Sequence, residues 1–204
     1  PPMTIPLKGV LFDLDGVLVD SEPLYSEAAD RVLRDYGLRF DPALKAKMMG
    51  RAPLLSAAVV IEHTGIPLSP EEFLAMRRRH LDELMARVPA MPGAQNLVLE
   101  LRRLGVPMAL ATSSERSLML LKTTLHPWIR ELDALVCGGD PGVHRMKPHP
   151  DIFLAAAQAL GLAANQCLIV EDSPVGVAAA LASGGIPWVL RSPFVAEAEY
   201  PPQV

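Results

Sequence analysis

Five short apolar runs set the architecture open to this chain: KGVLFD (8–13), VPMALAT (106–112), DALVCGG (133–139), CLIVED (167–172) and IPWVL (186–190). Helix-like segments lie between them, among them Asp151 to Leu160 and Val175 to Ala182. This alternation reads as βαβ units, giving an α/β fold with a Rossmann-like parallel sheet and helices on both faces. Such sheets place their sites at the carboxyl ends of the strands. One region departs from the alternation. From residue 21 to 89 only helix signals occur, near Pro23 to Tyr36, Pro42 to Met49, Pro53 to His63 and Ser69 to Arg87, separated by Gly and Pro. A helical-bundle domain spanning 21–89 is therefore expected as an insertion after the first strand, the α/β domain being built from 1–20 and 90–204. MPGAQ, with Pro92 and Gly93, returns the chain to the sheet, and Ala94 to Leu104 reads as the next helix.

The 204 residues suffice for a substantial core, either as one domain or as one domain with a smaller insertion. A net charge of -4 argues against a nucleic-acid binder and towards small-molecule partners. Cys137 and Cys167 lie beside apolar runs and form no CxxC, so buried free thiols are expected, with no zinc or redox chemistry. No stretch approaches the ~20 apolar residues that span a bilayer. The start, PPMTIPLKGV, lacks the basic and apolar regions of a signal peptide. The expectation is a cytoplasmic monomer without membrane contact, an organelle being open if the N-terminus is processed. Twenty prolines, about twice the usual share, punctuate apolar segments without clustering.

Each apolar run ends in reactive or anion-binding groups. The first ends in Asp13 and Asp15, which would lie side by side if the strand continued, so their like charges call for a cation or a shared chemical task. Thr112 and Ser113 end the second run, and Glu171 and Asp172 end the fourth. Lys147 lies in the loop after the third. This set of carboxylates, with one lysine and a hydroxyl, suits Mg²⁺, which takes hard oxygen ligands and pairs carboxylates with a substrate phosphate. Gly16 permits a sharp turn that could aim N–H groups near Leu14 to Gly16 at phosphate oxygens. Ser113 to Glu115 reads as the opening of a helix, a further anion-favouring element. There is no GxxxxGK[ST], so a Walker-type nucleotide site is excluded.

These residues resemble the motifs of the haloacid dehalogenase superfamily, in the subgroup with a helical cap after the first strand. Motif one, DxDGxxxDSE, matches at Asp13 to Glu22; motif two at Thr112; motif three at KPHPD, Lys147 to Asp151; motif four at EDSPVGV, Glu171 to Val177. The match runs from about Lys8 to Leu190. Within the superfamily, KAKMMGR (45–51), MPGA (91–94), LATSS (110–114) and GGDPGVHRMKPHPDIFLAAA (138–157) resemble the pseudouridine-5'-phosphatase and glycerol-phosphate phosphatase group. Two departures stand out: Met146 replaces a small residue before the motif-three lysine, and the chain ends at Val204, before the last strand and helix of relatives.

The resemblance implies a Mg²⁺-dependent phosphomonoesterase. Asp13 would attack phosphorus, and Asp15 would protonate the leaving alkoxide and then activate water. Lys147 and Thr112 would contact the phosphoryl group, with Gly16 and Ser113 beside it. Asp13, Asp15 and Asp172 would hold the metal; Glu171 would either join them or fix the loop. Arg51, in MMGR, matches a cap position that reaches towards the core in relatives, though a surface charge is the alternative. A sugar-phosphate mutase is the runner-up, opposed by Tyr25 at the place of the mutase histidine. A non-catalytic phosphate-ligand binder is a further alternative. RRRH (77–80) circles a helix and reads as a solvated face, Trp128 and Trp188 as core packing, and the histidines show no ligand spacing.

Overall fold

In a computed structural model of the protein, residues 6–48, 53–192 and 195–204 are described. The strands are β1 (Gly9–Phe12), β2 (Met108–Glu115), β3 (Ala134–Gly138), β4 (Cys167–Glu171) and β5 (Ile186–Val189). Between β1 and β2 run α1 (Glu22–Arg34), α2 (Pro42–Met48), α3 (Pro53–Thr64), α4 (Pro70–Met85) and α5 (Ala94–Arg103). After β2 come α6 (Arg116–Lys122) and α7 (Pro127–Arg130), then α8 (Asp151–Ala159) before β4 and α9 (Pro174–Ala182) before β5.

The five strands form one parallel sheet in the order β3-β2-β1-β4-β5. All four residues of β1 are buried, which explains why GVLF carries no polar alternation. Leu11, Ala109, Ala111 and Ile169 pack with Ile152, Phe153 and Ala156 of α8 and Ala179 and Ala180 of α9 in one fully buried cluster. With β1 in the middle, the chain crosses first to one side and later to the other. Its carboxyl end is thus the point where strand order reverses, and a crevice for ligands opens there in such sheets.

Two expectations about the strands need correction. Ser113 to Glu115 belongs to β2 and does not open a helix: α6 begins at Arg116, after an extended Glu115 (φ -62°, ψ 155°). The Thr112 hydroxyl accepts the Ser114 N–H at 3.1 Å, and after that irregularity Glu115 pairs with Gly138 of β3. These bonds keep the chain extended for three more residues. Trp188 is not core, with half of it (50%) exposed, because β5 is an edge strand with a neighbour on one side only. Trp128 is buried as expected, and Cys137 and Cys167 are buried free thiols. Among the described residues no helix is long and apolar enough to cross a membrane.

The chain divides into two compact units, Pro1–Asp20 with Pro89–Val204, and Ser21–Val88. The second unit is helical, with Ala29, Val32, Leu33, Leu44, Ala57, Val60 and Phe73 as its core. α4 starts on a capping box in which Ser69 Oγ accepts the Glu72 N–H and Glu72 accepts the Ser69 N–H. Asp30 of α1 is buried and ties down the turn after that helix, accepting from the Phe40 N–H at 2.8 Å and Arg39 Nε at 2.9 Å. Replacing Asp30 by Ala leaves the Phe40 N–H without its acceptor. We expect Asp30→Ala to lower stability by about 2 kcal/mol in urea unfolding, with a smaller loss for Asp30→Asn, which retains a carbonyl. Equal losses for the two variants would contradict this role.

Candidate active site

β1 and β4 run in register, Phe12 opposite Val170, and the Asp13 N–H donates to the Val170 carbonyl at 3.0 Å. Asp13 therefore leaves its strand beside the residues that end β4. Lys147 reaches both: its Nζ lies 2.6 Å from Asp13 Oδ1 and 2.6 Å from Glu171 Oε1. The lysine side chain is nearly buried, 6% exposed, and its ammonium sits 4.9 Å from the centroid of the Phe153 ring. Its loop is pinned by Asp151 at the start of α8. That carboxylate accepts from the His144 and Arg145 N–H groups at 3.3 and 3.0 Å and pairs with the Arg145 guanidinium at 2.8 Å. The KPHPD stretch thus carries both the lysine and the residue that anchors it.

Glu171 has both oxygens engaged. While Oε1 meets Lys147, Oε2 accepts from the Asp172 N–H (2.7 Å), the Ser173 N–H (2.8 Å) and Ser173 Oγ (3.0 Å). This geometry favours the loop-fixing role over direct metal binding. Gly176 lies against the same carboxylate, where a Cβ would overlap it, so the first turn of α9 closes on Glu171 only because that residue is glycine. The Asp172 carboxylate packs likewise against Gly16, where a Cβ would overlap it. Gly16 also has φ 76°, a conformation that L side chains rarely adopt. Its N–H, expected to face phosphate, donates instead to the Val19 carbonyl at 2.8 Å. Gly16 therefore serves by its missing side chain. The Asp172 carbonyl accepts the Tyr200 hydroxyl at 2.6 Å, which holds the β4 end from the C-terminal segment.

Asp15 faces a different cation. Lys122 of α6, only 1% exposed, donates to both Asp15 oxygens at 2.7 Å and to Ser114 Oγ at 3.1 Å, and Ser114 Oγ donates to Asp15 at 3.3 Å. The two aspartates of the DxD pair thus each face a lysine of their own. Thr112 is buried at this end of β2, whereas Ser113 is exposed. Arg51 lies outside the described residues. Lys122 was not legible as a site residue from any motif. Its signal was helical: it follows Met119 by three residues on the buried stripe of α6, where a lysine needs an anion.

The carboxylates resist ionising together. Burial pushes Asp13 up to about 7, against the pull of Lys147 and with help from the charges of Glu171 and Asp15. Burial, then the charges of Asp13 and Glu171, push Asp172 up to about 8. For Lys147, burial opposes the charge, but Asp13 and Glu171 outweigh it and raise its pKa. Among the described residues no three Asp, Glu, His or Cys side chains are arranged to hold a metal by themselves. Two carboxylates short of compensating charge nevertheless fit a hard divalent cation, which commonly uses one or two carboxylates plus water and substrate phosphate. Asp13 and Asp172 are the residues whose side chains would hold it; Asp15, expected beside them, has both carboxylate oxygens on Lys122 instead.

A stability profile follows. Both aspartates titrate near 4 when unfolded, so between about pH 4 and pH 8 the folded protein binds more protons, and stability falls as pH rises. Lys147 stays charged across that window and adds no slope. We expect the melting temperature of the EDTA-treated protein to be lower at pH 8 than at pH 5, and Mg²⁺ to raise it more at pH 8. Equal Mg²⁺ shifts at the two pH values would contradict the coupling.

Comparison with known proteins bears on what such a centre does. Residues 7–184 match the family model for haloacid dehalogenase-like hydrolases. A Drosophila melanogaster protein provisionally assigned as a pseudouridine-5'-phosphatase is 40% identical over 181 residues, 85% of this chain and 77% of that protein. An Arabidopsis thaliana (DL)-glycerol-3-phosphatase is 40% identical over 184 residues, 86% of this chain and 75% of the relative. A crystal structure of a HAD family hydrolase from Deinococcus radiodurans, with bound phosphate and sodium, superposes with TM-score 0.78 at 34% identity, covering 93% of this chain and 83% of that one. A Thermotoga maritima protein provisionally assigned as a β-phosphoglucomutase gives TM-score 0.82 at 29% identity, with 94% and 89% coverage. With the family model matched across most of its length and the motif residues gathered at one sheet end, the chain belongs to the haloacid dehalogenase-like hydrolases.

Proposed function

We propose that the protein hydrolyses a small phosphate monoester, of the pseudouridine 5'-phosphate or glycerol phosphate type, in a Mg²⁺-dependent reaction. The observation that carries this reading is the buried Lys147 bridging Asp13 and Glu171 at 2.6 Å each. An ammonium so placed favours the anionic form of Asp13, the form that can attack, and can face the oxygens of an incoming phosphoryl group. The relatives assigned as phosphatases of small esters support the substrate class.

In the first step an Asp13 oxygen forms a bond to phosphorus while the ester P–O bond breaks, leaving the phosphoryl group on Asp13. The alkoxide takes a proton from Asp15. In the second, Asp15 takes a proton from water as that water attacks the same phosphorus, releasing phosphate and restoring the Asp13 carboxylate. When bound, Mg²⁺ supplies positive charge to the phosphoryl oxygens and to the crowded carboxylates. Thr112 is assigned to phosphoryl contact and Ser113 to the substrate's approach. The helical unit, inserted between β1 and β2, is assigned the selection of the leaving group, with Arg51 as its candidate residue.

The Thermotoga neighbour favours a second reading, a sugar-phosphate mutase, which Tyr25 in place of a histidine opposes. Asp13→Asn, nearly isosteric, should lower phosphate release about a thousandfold or more with its melting temperature kept or raised. Wild-type-like turnover in that variant would overturn the assignment. Efficient conversion of β-glucose 1-phosphate to glucose 6-phosphate by the wild type, with catalytic glucose 1,6-bisphosphate, would favour the mutase.

A further inference from the structure

Lys122 is a costly residue to bury. Taking an ammonium out of water costs several kcal/mol, and an ion pair in its place seldom outperforms an apolar side chain of the same volume. The side chain is nonetheless 1% exposed, on a helix whose neighbouring buried residue, Met119, is apolar. Its three protons are well used: two go to the Asp15 oxygens at 2.7 Å each and one to Ser114 Oγ at 3.1 Å. Ser114 returns a hydrogen bond to Asp15 at 3.3 Å, and its own N–H is held by Thr112.

Contact with both oxygens fixes the plane of the Asp15 carboxylate as well as the direction of its side chain, neither of which an aspartate holds by itself. Lys147 holds Asp13 through one oxygen only, from the side of the opposite neighbour strand, since its other partner Glu171 ends β4 whereas Ser114 lies in β2. Resting on the phosphatase reading above, we propose that Lys122 is a positioning residue that orients Asp15 for proton transfer, and that Lys122 and Lys147 together keep the two aspartates in separate places. Proton transfer requires hydrogen-bond reach of the reacting oxygen, so a misplaced Asp15 loses its part in both half-reactions.

The consequence differs between leaving groups. An alkoxide needs a proton to depart, but 4-nitrophenolate does not, while hydrolysis of the aspartyl-phosphate needs Asp15 for either substrate. In Lys122→Met, which fills the volume without the charge, steady-state turnover of glycerol 3-phosphate should fall about a hundredfold with KM little changed. With 4-nitrophenyl phosphate the variant should show a burst of one nitrophenolate per enzyme, followed by slow turnover, because phosphoryl transfer stays fast and dephosphorylation becomes limiting. Ser114→Ala should show the same pattern in weaker form and provides the test if Lys122→Met does not fold. Turnover unchanged, or lowered for both substrates with raised KM and no burst, would overturn the proposal. A crystal structure of Lys122→Met separates this from failure of the phosphatase reading: an Asp15 carboxylate in its wild-type orientation overturns the positioning role, whatever the activity, and a displaced one supports it. Absence of phosphate release from every ester in the wild type would count against the phosphatase reading alone.

Discussion

One ammonium makes this sheet end possible. Without Lys147, three acidic side chains, Asp13, Glu171 and Asp172, would meet at the carboxyl ends of β1 and β4 with no counter-charge on the Asp13 and Glu171 oxygens that it now contacts. Burial already opposes the ionisation of Asp13 and Asp172, and the charges of neighbouring carboxylates, Glu171 acting on both, oppose it further. The backbone is committed to this crowding. Parallel β1 and β4 pair in register, Gly16 and Gly176 leave room for the Asp172 and Glu171 carboxylates, and Asp151 and Tyr200 anchor the flanking segments. Such a centre is poor as a source of stability and well suited to receiving a dianion together with a cation.

Much of this was legible in the sequence for a physical reason. Strands in the middle of such a sheet must be continuously apolar, so KGVLFD and CLIVED stood out, and the polar residues that follow them had to emerge at one end of the sheet. From 21 to 89 the sequence has helix signals and no such run; the compact helical unit is Ser21–Val88. Asp13, Glu171 and Asp172 are placed by those strand ends, and Lys147 by the loop that Asp151 pins.

What could not be read depended on contacts distant in sequence or on a single torsion. Lys122 is 107 residues from Asp15, and only the docking of α6 on β2 brings them together. The extension of β2 through Ser114 turns on the side-chain bond from Thr112, which an Ser-Ser-Glu sequence conceals because those residues also suit a helix start. The exposure of Trp188 follows from β5 being an edge, a property of strand order that no local pattern encodes. The family resemblance left two roles open for Glu171, and only the hydrogen bonds at both its oxygens favour one.

The proposed reaction requires Asp13 as the acceptor of the phosphoryl group. Acid quenching during turnover, followed by peptide mass mapping, reads this directly. The expected result is a phosphoryl adduct on the peptide containing Asp13, localised to that side chain and discharged when substrate is exhausted. A phosphoryl group on any other residue, or steady phosphate release with no adduct under conditions that slow dephosphorylation, would contradict it.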